Sequence, residues 1–144
     1  MTETTSFSNP PDDRVKEILS GMKRVAVVGI SAKTDRASHG IARFLQGLGL
    51  EVVGVNPVLT EPVLGMDIYP SLTDVPGRVD LVDVFRRGET VGPIIEDAAA
   101  RGDGCVWLQE DVINPEAAQA GVDAGLDVVM DRCIYKEWLR LMNG

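Results

Sequence analysis

Five short apolar runs punctuate the chain, at Val25–Val28, Val52–Val55, Leu81–Phe85, Cys105–Leu108 and Val128–Met130. They are rich in β-branched residues and do not alternate with polar positions, the pattern of strands covered on both faces in a parallel sheet. They recur every 22 to 29 residues or so, room for one crossover helix each. The units share no sequence identity, so they are not a solenoid repeat.

Helical stripes fill the intervals. Val15, Ile18, Leu19 and Met22 follow Asp12 and Asp13, which can cap them. Ile41, Phe44, Leu45 and Leu48 form a second stripe closed by Gly49, and Val91, Ile94, Ile95 and Ala98 a third, with Thr90 as cap and Gly102 at its end. Asn114-Pro115 opens a fourth helix, with proline at the first helical position and Gly125 beyond its end. Ile134, Trp138 and Leu141 stripe a fifth. Residues 58–79, with three prolines and two glycines, read as an irregular crossover with a short strand near Ile68-Tyr69.

Strands alternating with helices predict a three-layer α/β/α, Rossmann-like, doubly wound parallel sheet of about five strands. The expected organisation is a flexible tail over residues 1–11 and one domain over 12–144. Ligands on such sheets sit outside the carboxyl ends of the strands. The tips of interest are therefore residues 29–40, 56–57, 85–88, 109–114 and 131–133.

Composition narrows the function. A chain of 144 residues with 44% hydrophobic and 25% charged positions is an ordinary globular domain. A net charge of −8 argues against a general nucleic-acid or anionic-membrane binder. One histidine excludes a His-rich metal site, and two cysteines, Cys105 and Cys133, do not make a disulfide framework. No apolar run reaches the roughly 18–20 residues of a membrane span. The polar start lacks a signal-peptide pattern, so a cytoplasmic location is expected.

The first tip carries Val-Gly-Ile-Ser at Val28–Ser31, followed by Lys33, Arg36, Ser38 and His39. Glycine admits a close backbone approach, a helix start attracts anions, and two fixed positive charges with two side-chain donors suit a phosphate. The same stretch reads equally as a solvated loop with Ser38 as helix cap. G-x-G-x-x-G is absent, since Ser31 replaces the second glycine. The second tip is Asn56-Pro57, where a site for NAD places an acid on the ribose. At the third, Phe85 can stack on a base or pack in the core, and Arg86 can meet a phosphate or solvent. At the fifth, Cys133 follows Arg132 at a helix start, which favours a thiolate, or it is an inert, partly buried cysteine. Asp83 and Asp131 lack a partner for acid–base work, and no G-x-S-x-G supports a serine triad with His39.

Read together, these residues resemble the small bacterial CoA-binding domain family, stand-alone relatives of the CoA-binding domain of the succinyl-CoA synthetase α-subunit. The resemblance runs from about Asp12 to Leu141. It rests on Val28–Ser31, Arg36–Ser38, Gly49–Pro57, Tyr69–Leu72, Val79–Arg86, Trp107–Gln109 and Met130–Cys133, in that order and spacing. It departs from the family at Glu110 and Asp111, where a less acidic, glycine-containing turn is usual, and at Ala37, where proline is common.

The resemblance implies coenzyme A or an acyl-CoA held across the strand tips. Gly29, Ile30 and Ser31 would face the pyrophosphate, supported by Arg36 and Ser38 with Lys33 and His39 nearby. Val55, Asn56 and Pro57 would line the adenosine side. Phe85 and Arg86 would border the ligand, and Trp107 and Gln109 the pantetheine. The family's ligase relatives work with a further domain and a partner subunit, so the expectation here is binding without catalysis or metal. The competing readings are an NAD(P)-dependent oxidoreductase fragment, which the missing acid opposes, and a regulatory or interaction module reusing the fold. A second copy of the chain or another protein is left open as partner.

Overall fold

Six strands, all paired in parallel, form the sheet: β1 (Arg24–Val28), β2 (Glu51–Val55), β3 (Ile68–Tyr69), β4 (Leu81–Val84), β5 (Cys105–Leu108) and β6 (Asp127–Val129). Among the described residues five α-helices accompany them, α1 (Asp12–Gly21), α2 (Ala37–Gly47), α3 (Val91–Arg101), α4 (Pro115–Asp123) and α5 (Ile134–Met142), while β2, β3 and β4 follow one another with no α-helix between them. The structure, a computed structural model, describes residues 7–142. The five apolar runs all became strands, and the two-residue strand suggested in the crossover is the sixth.

The spatial order is β3-β2-β1-β4-β5-β6. From β1 the sheet grows one way through β2 and the other way through β4. The crevice above the carboxyl ends of β1 and β4 is thus the topological switch point, where ligands on open α/β sheets bind.

Alternate strand residues separate two apolar layers. On one face Val25 and Val27 of β1, Leu81 of β4 and Cys105 and Trp107 of β5 pack with α1, α2 and α5. On the other, Ala26, Val28, Val82, Val84, Val106 and Leu108 pack with α3 and α4. β1, β4 and β5 are therefore buried on both faces, as their unalternated pattern requires, and each fully buried Val or Leu contributes about 1.5–3 kcal/mol.

The helix ends follow local chemistry with some differences. Asn114 caps α4 by accepting the Ala117 N–H at 3.0 Å, and Gly49 turns left-handed at φ +86° after α2. Thr90 does not cap α3. Its hydroxyl donates to the Arg87 carbonyl instead, at 2.7 Å. At α1, Pro11 stands at the N-cap and Asp12 and Asp13 occupy the first turn, where carboxylates favour the positive end of the helix dipole.

Within the segment expected as a tail, Asn9 exchanges hydrogen bonds of 3.0 and 2.7 Å with the Met130 backbone, and Phe7 packs on the α3–α4 layer. Residues 1–6 lie outside the described residues. No helix among the described residues is long and apolar enough to cross a membrane.

Candidate functional site

A cavity of about 350 Å³ opens at the carboxyl ends of β1 and β2, lined by Gly29, Ser31, Lys33, Arg36, Ser38 and Asn56, with Ile30 and Phe85 in its walls. The chain reaches it by extending the sheet one residue: the Gly29 N–H donates to Val55 and the Phe85 N–H to Val28, at 2.9 and 2.8 Å. Gly29 then turns at φ +91°, directly beneath the Phe85 carbonyl. Ser31 Oγ accepts the Lys33 N–H at 3.1 Å, leaving its own O–H to donate. Asn56 ties two tips together. Its Nδ2 donates to the Ile30 carbonyl at 2.8 Å, and its Oδ1 accepts the Val58 and Leu59 N–H groups at 2.7 and 3.2 Å.

Helix α2 starts at Ala37, four residues ahead of its apolar stripe. The Arg36 carbonyl accepts the N–H groups of both His39 and Gly40. The first-turn N–H groups of Ala37 and Ser38 have no acceptor within the helix, and they stand beside the side chains of Lys33 and Arg36, both exposed.

A second cavity, of about 500 Å³, shares Ala37 and Phe85 with the first. Gly40, Ile41 and Phe44 of α2, Tyr135 of α5, and Gln109, Glu110, Asp111 and Cys133 line the rest of it. Phe44 and Tyr135 meet edge to face with centroids 4.9 Å apart. Gln109 is only 6% exposed. Its Oε1 accepts the Ile134 N–H at 3.2 Å, and its Nε2 has no hydrogen-bond partner among the described residues. At the rim, Lys136 pairs with Glu110 at 2.9 Å. That hydrogen bond, with the Glu110 charge, raises the Lys136 pKa, and it offsets the acidic departure of this tip. Asp111 and Asp131 are both left-handed, at φ 70° and 61°, and Asp131 Oδ1 accepts the Asp111 N–H at 2.8 Å. Two non-glycine residues in that region store strain of about 1–3 kcal/mol each.

Of the residues singled out in the sequence, Gly29, Ile30, Ser31, Lys33, Arg36, Ser38, Asn56 and Phe85 come together at the first cavity and Gln109 at the second. Phe85 satisfies both of its readings, since it also packs on the core. Five residues are placed elsewhere. Trp107 is fully buried, and its indole N–H donates to the Arg132 carbonyl at 2.8 Å, so it braces the turn before Cys133 from within the core. His39 is 5% exposed on α2, with its Nδ1 unpartnered among the described residues, because the early helix start turns it inward. Val55 belongs to the core, and Pro57 is exposed beyond Asn56. Arg86 is exposed, and its stem lies over Gly29.

Ile41, Phe44 and Tyr135 were absent from the sequence-derived site. The first two fall in a stripe that also packs on the core, and periodicity does not distinguish a wall from a core. Tyr135 did leave a signal: an aromatic lying off the Ile134, Trp138 and Leu141 stripe, immediately beside a strand tip.

Asp83 lies one pleat beneath this floor. It pairs in register with Val27 and Trp107, faces the α1–α2–α5 layer and is fully buried, with neither oxygen hydrogen-bonded among the described residues. Burial pushes its pKa well above the usual carboxylate range. Cys105, buried in β5, has its thiol pushed up first by burial and then by the nearby carboxylates of Asp127 and Asp83. No cluster of three or more potential metal ligands exists among the described residues.

Residues 23–138 match a protein family described as CoA binding domain. An uncharacterised protein of Bacillus subtilis (strain 168), YneT, is 39% identical over 128 residues, which is 89% of this chain and 94% of that protein. The acetate–CoA ligase (ADP-forming) I of Archaeoglobus fulgidus is 29% identical over 102 residues, 70% of this chain but 14% of the ligase. Among solved structures, a hypothetical protein from Pyrococcus horikoshii OT3 superposes with a TM-score of 0.88 at 35% identity, covering 99% of both chains.

Proposed function

The chain belongs to the CoA-binding domain family, and we propose that it holds coenzyme A or an acyl-CoA along the two joined cavities at the strand carboxyl ends. One observation carries this reading. A polar cavity flanked by Lys33, Arg36 and a helix start meets an apolar one at Phe85 and Ala37. Coenzyme A has the same two-part chemistry, an anionic nucleotide joined to a largely apolar arm.

In this reading the pyrophosphate lies against the Gly29–Ser31 turn. Arg36 and Lys33 supply charge, and the Ser31 hydroxyl and the Ala37 and Ser38 N–H groups donate. The adenosine side runs past Asn56, whose role is to hold the Ile30 carbonyl and the turn in place. The pantetheine arm passes Phe85 into the space between Ile41, Phe44 and Tyr135, where Gln109 Nε2 offers a donor to an amide carbonyl. Residues 12–144 act as a single ligand-binding domain, and the role is binding rather than turnover.

A panel of CoA, acetyl-CoA, dephospho-CoA, NAD and NADP, read by thermal shift and calorimetry, tests the proposal. CoA at about 100 times its dissociation constant should stabilise the fold by roughly 2.7 kcal/mol. Absence of any shift at millimolar CoA, or tighter binding of NAD than of CoA, overturns it.

A further inference from the structure

We propose that the two joined cavities select acyl-CoA thioesters whose acyl group is uncharged and apolar, and discriminate against those that end in a carboxylate. This selectivity rests on the CoA reading and deepens it, from the coenzyme to the class of acyl group.

The charges along the joined cavities are segregated. Among the described residues, the cavity at the end of β1 is lined by Lys33 and Arg36 and by no acid, and the stem of Arg86 lies over its Gly29. The apolar cavity is lined by Glu110 and Asp111 and by no base. Asp35, in the same loop as Lys33, lines neither. A ligand lying through both cavities therefore meets positive charge at one end and negative charge at the other. The phosphates of CoA take the positive end, so the acyl group faces the acids.

The two acids differ. Glu110 is paired with Lys136 at 2.9 Å, while Asp111 is in no ion pair among the described residues. Arg132, the other cation beside this tip, is engaged by Glu137 at 3.2 Å. Asp111 is also fixed in place. Its backbone is left-handed at φ 70°, and its N–H donates to Asp131 Oδ1 at 2.8 Å, so a further carboxylate stands beside it. Ile41, Phe44, Phe85 and Tyr135 supply the apolar walls. A carboxylate brought among them gives up water, gains no cation and is repelled by Asp111. A methyl group at the same place buries apolar area instead, worth about fourfold in affinity.

Butyryl-CoA and succinyl-CoA make the discriminating pair, because their acyl chains differ only in a terminal methyl against a terminal carboxylate. Repulsion between two charges about 4 Å apart in water corresponds to about fivefold in affinity. With the methyl contribution, butyryl-CoA should bind roughly tenfold or more tightly than succinyl-CoA at low salt. Glu110 and Asp111 are both exposed, so salt should shrink the gap.

Calorimetry on the whole protein with CoA, butyryl-CoA and succinyl-CoA, at low and high salt, tests this. Butyryl-CoA should bind most tightly of the three. Asp111→Asn keeps a residue that tolerates the left-handed backbone and should narrow the butyryl-to-succinyl ratio by about fivefold. Lys136→Gln removes the partner of Glu110 and should widen it. Each ratio compares two ligands on one protein, so a general loss of affinity or stability cancels. If succinyl-CoA binds as tightly as butyryl-CoA, or Asp111→Asn leaves the ratio unchanged, or Lys136→Gln narrows it, the selectivity is overturned while the CoA reading stands. If none of the three ligands binds, both fall.

Discussion

A β-carbon built on Gly29 would stand 2.7 Å from the carbonyl oxygen of Phe85. That contact joins β1 to β4 at the switch point and sets the floor shared by both cavities. Gly49 is equally left-handed, at φ +86°, but has open space where its β-carbon would be. Each substitution by alanine should cost about 1–2 kcal/mol for the backbone conformation. Only Gly29→Ala adds a collision with backbone. Urea unfolding should therefore rank Gly29→Ala as the more destabilised of the two, with weakened CoA binding as well. Equal stabilities would mean that the strand tips separate easily and that the close approach is not a constraint.

Arg36 is exposed at the N-cap of α2 and makes no side-chain hydrogen bond to that helix. Its removal should leave the fold intact and weaken CoA binding. A charge-assisted bond to phosphate is worth about 1.5–3 kcal/mol, or roughly 10- to 150-fold in affinity. Arg14, paired with Asp127 at the amino end of β6, provides the comparison. Calorimetry should show Arg14→Ala binding as the wild type does, and equal affinity for Arg36→Ala would remove Arg36 from the site.

The sheet was legible because strands buried on both faces leave unbroken apolar runs, and β1, β4 and β5 are of that kind. The cavity at the end of β1 was legible for a similar reason: Gly29, Ser31, Lys33 and Arg36 follow one another along a single loop. The cavity between Ile41, Phe44 and Tyr135 was not, since it is assembled from α2, the tip of β5 and the start of α5, with 65 residues from Phe44 to Gln109 and a further 24 to Cys133. Trp107 illustrates the limit. Its place in Trp-Leu-Gln suggested a site residue, yet a strand buried on both faces left it no route to the surface. Gln109, two residues on and past the strand end, was free to reach the cavity.

Asp83 should make stability depend on pH in the opposite sense to an ion-paired carboxylate. Burial raises its folded pKa, so above about pH 4 the unfolded chain loses this proton while the folded chain keeps it. The unfolded state then binds fewer protons, and stability from this group falls as pH rises, until the folded pKa is reached. The limiting slope is about 1.4 kcal/mol per pH unit. Asp83→Asn cannot ionise and removes that slope. Melting temperatures of both proteins from pH 4 to 9 should diverge, with the variant gaining on the wild type as pH rises. Parallel curves would place the Asp83 charge in a compensated environment after all.

Asn56 joins structure to ligand choice. Its Nδ2 donates to the Ile30 carbonyl at 2.8 Å, and its Oδ1 accepts two N–H groups of the following turn. Asn56→Asp keeps the acceptor but sets a carboxylate oxygen against the Ile30 carbonyl. The lost hydrogen bond and the unsatisfied carbonyl together should cost about 1–3 kcal/mol of stability. Negative charge is also introduced next to the Lys33–Arg36 loop, on the side proposed for the adenosine, whose ribose carries a 3′-phosphate in CoA. Binding of CoA should fall more than binding of NAD, which has free hydroxyls there, so the preference for CoA narrows. Asn56→Ala separates the two effects, because it loses the same brace without adding charge. Both variants should melt earlier than the wild type, but only the aspartate should narrow the CoA-to-NAD ratio, and less so at high salt, which screens exposed charges beyond about 8–10 Å. If alanine narrows the ratio as much as aspartate does, Asn56 acts on the ligand through loop position alone.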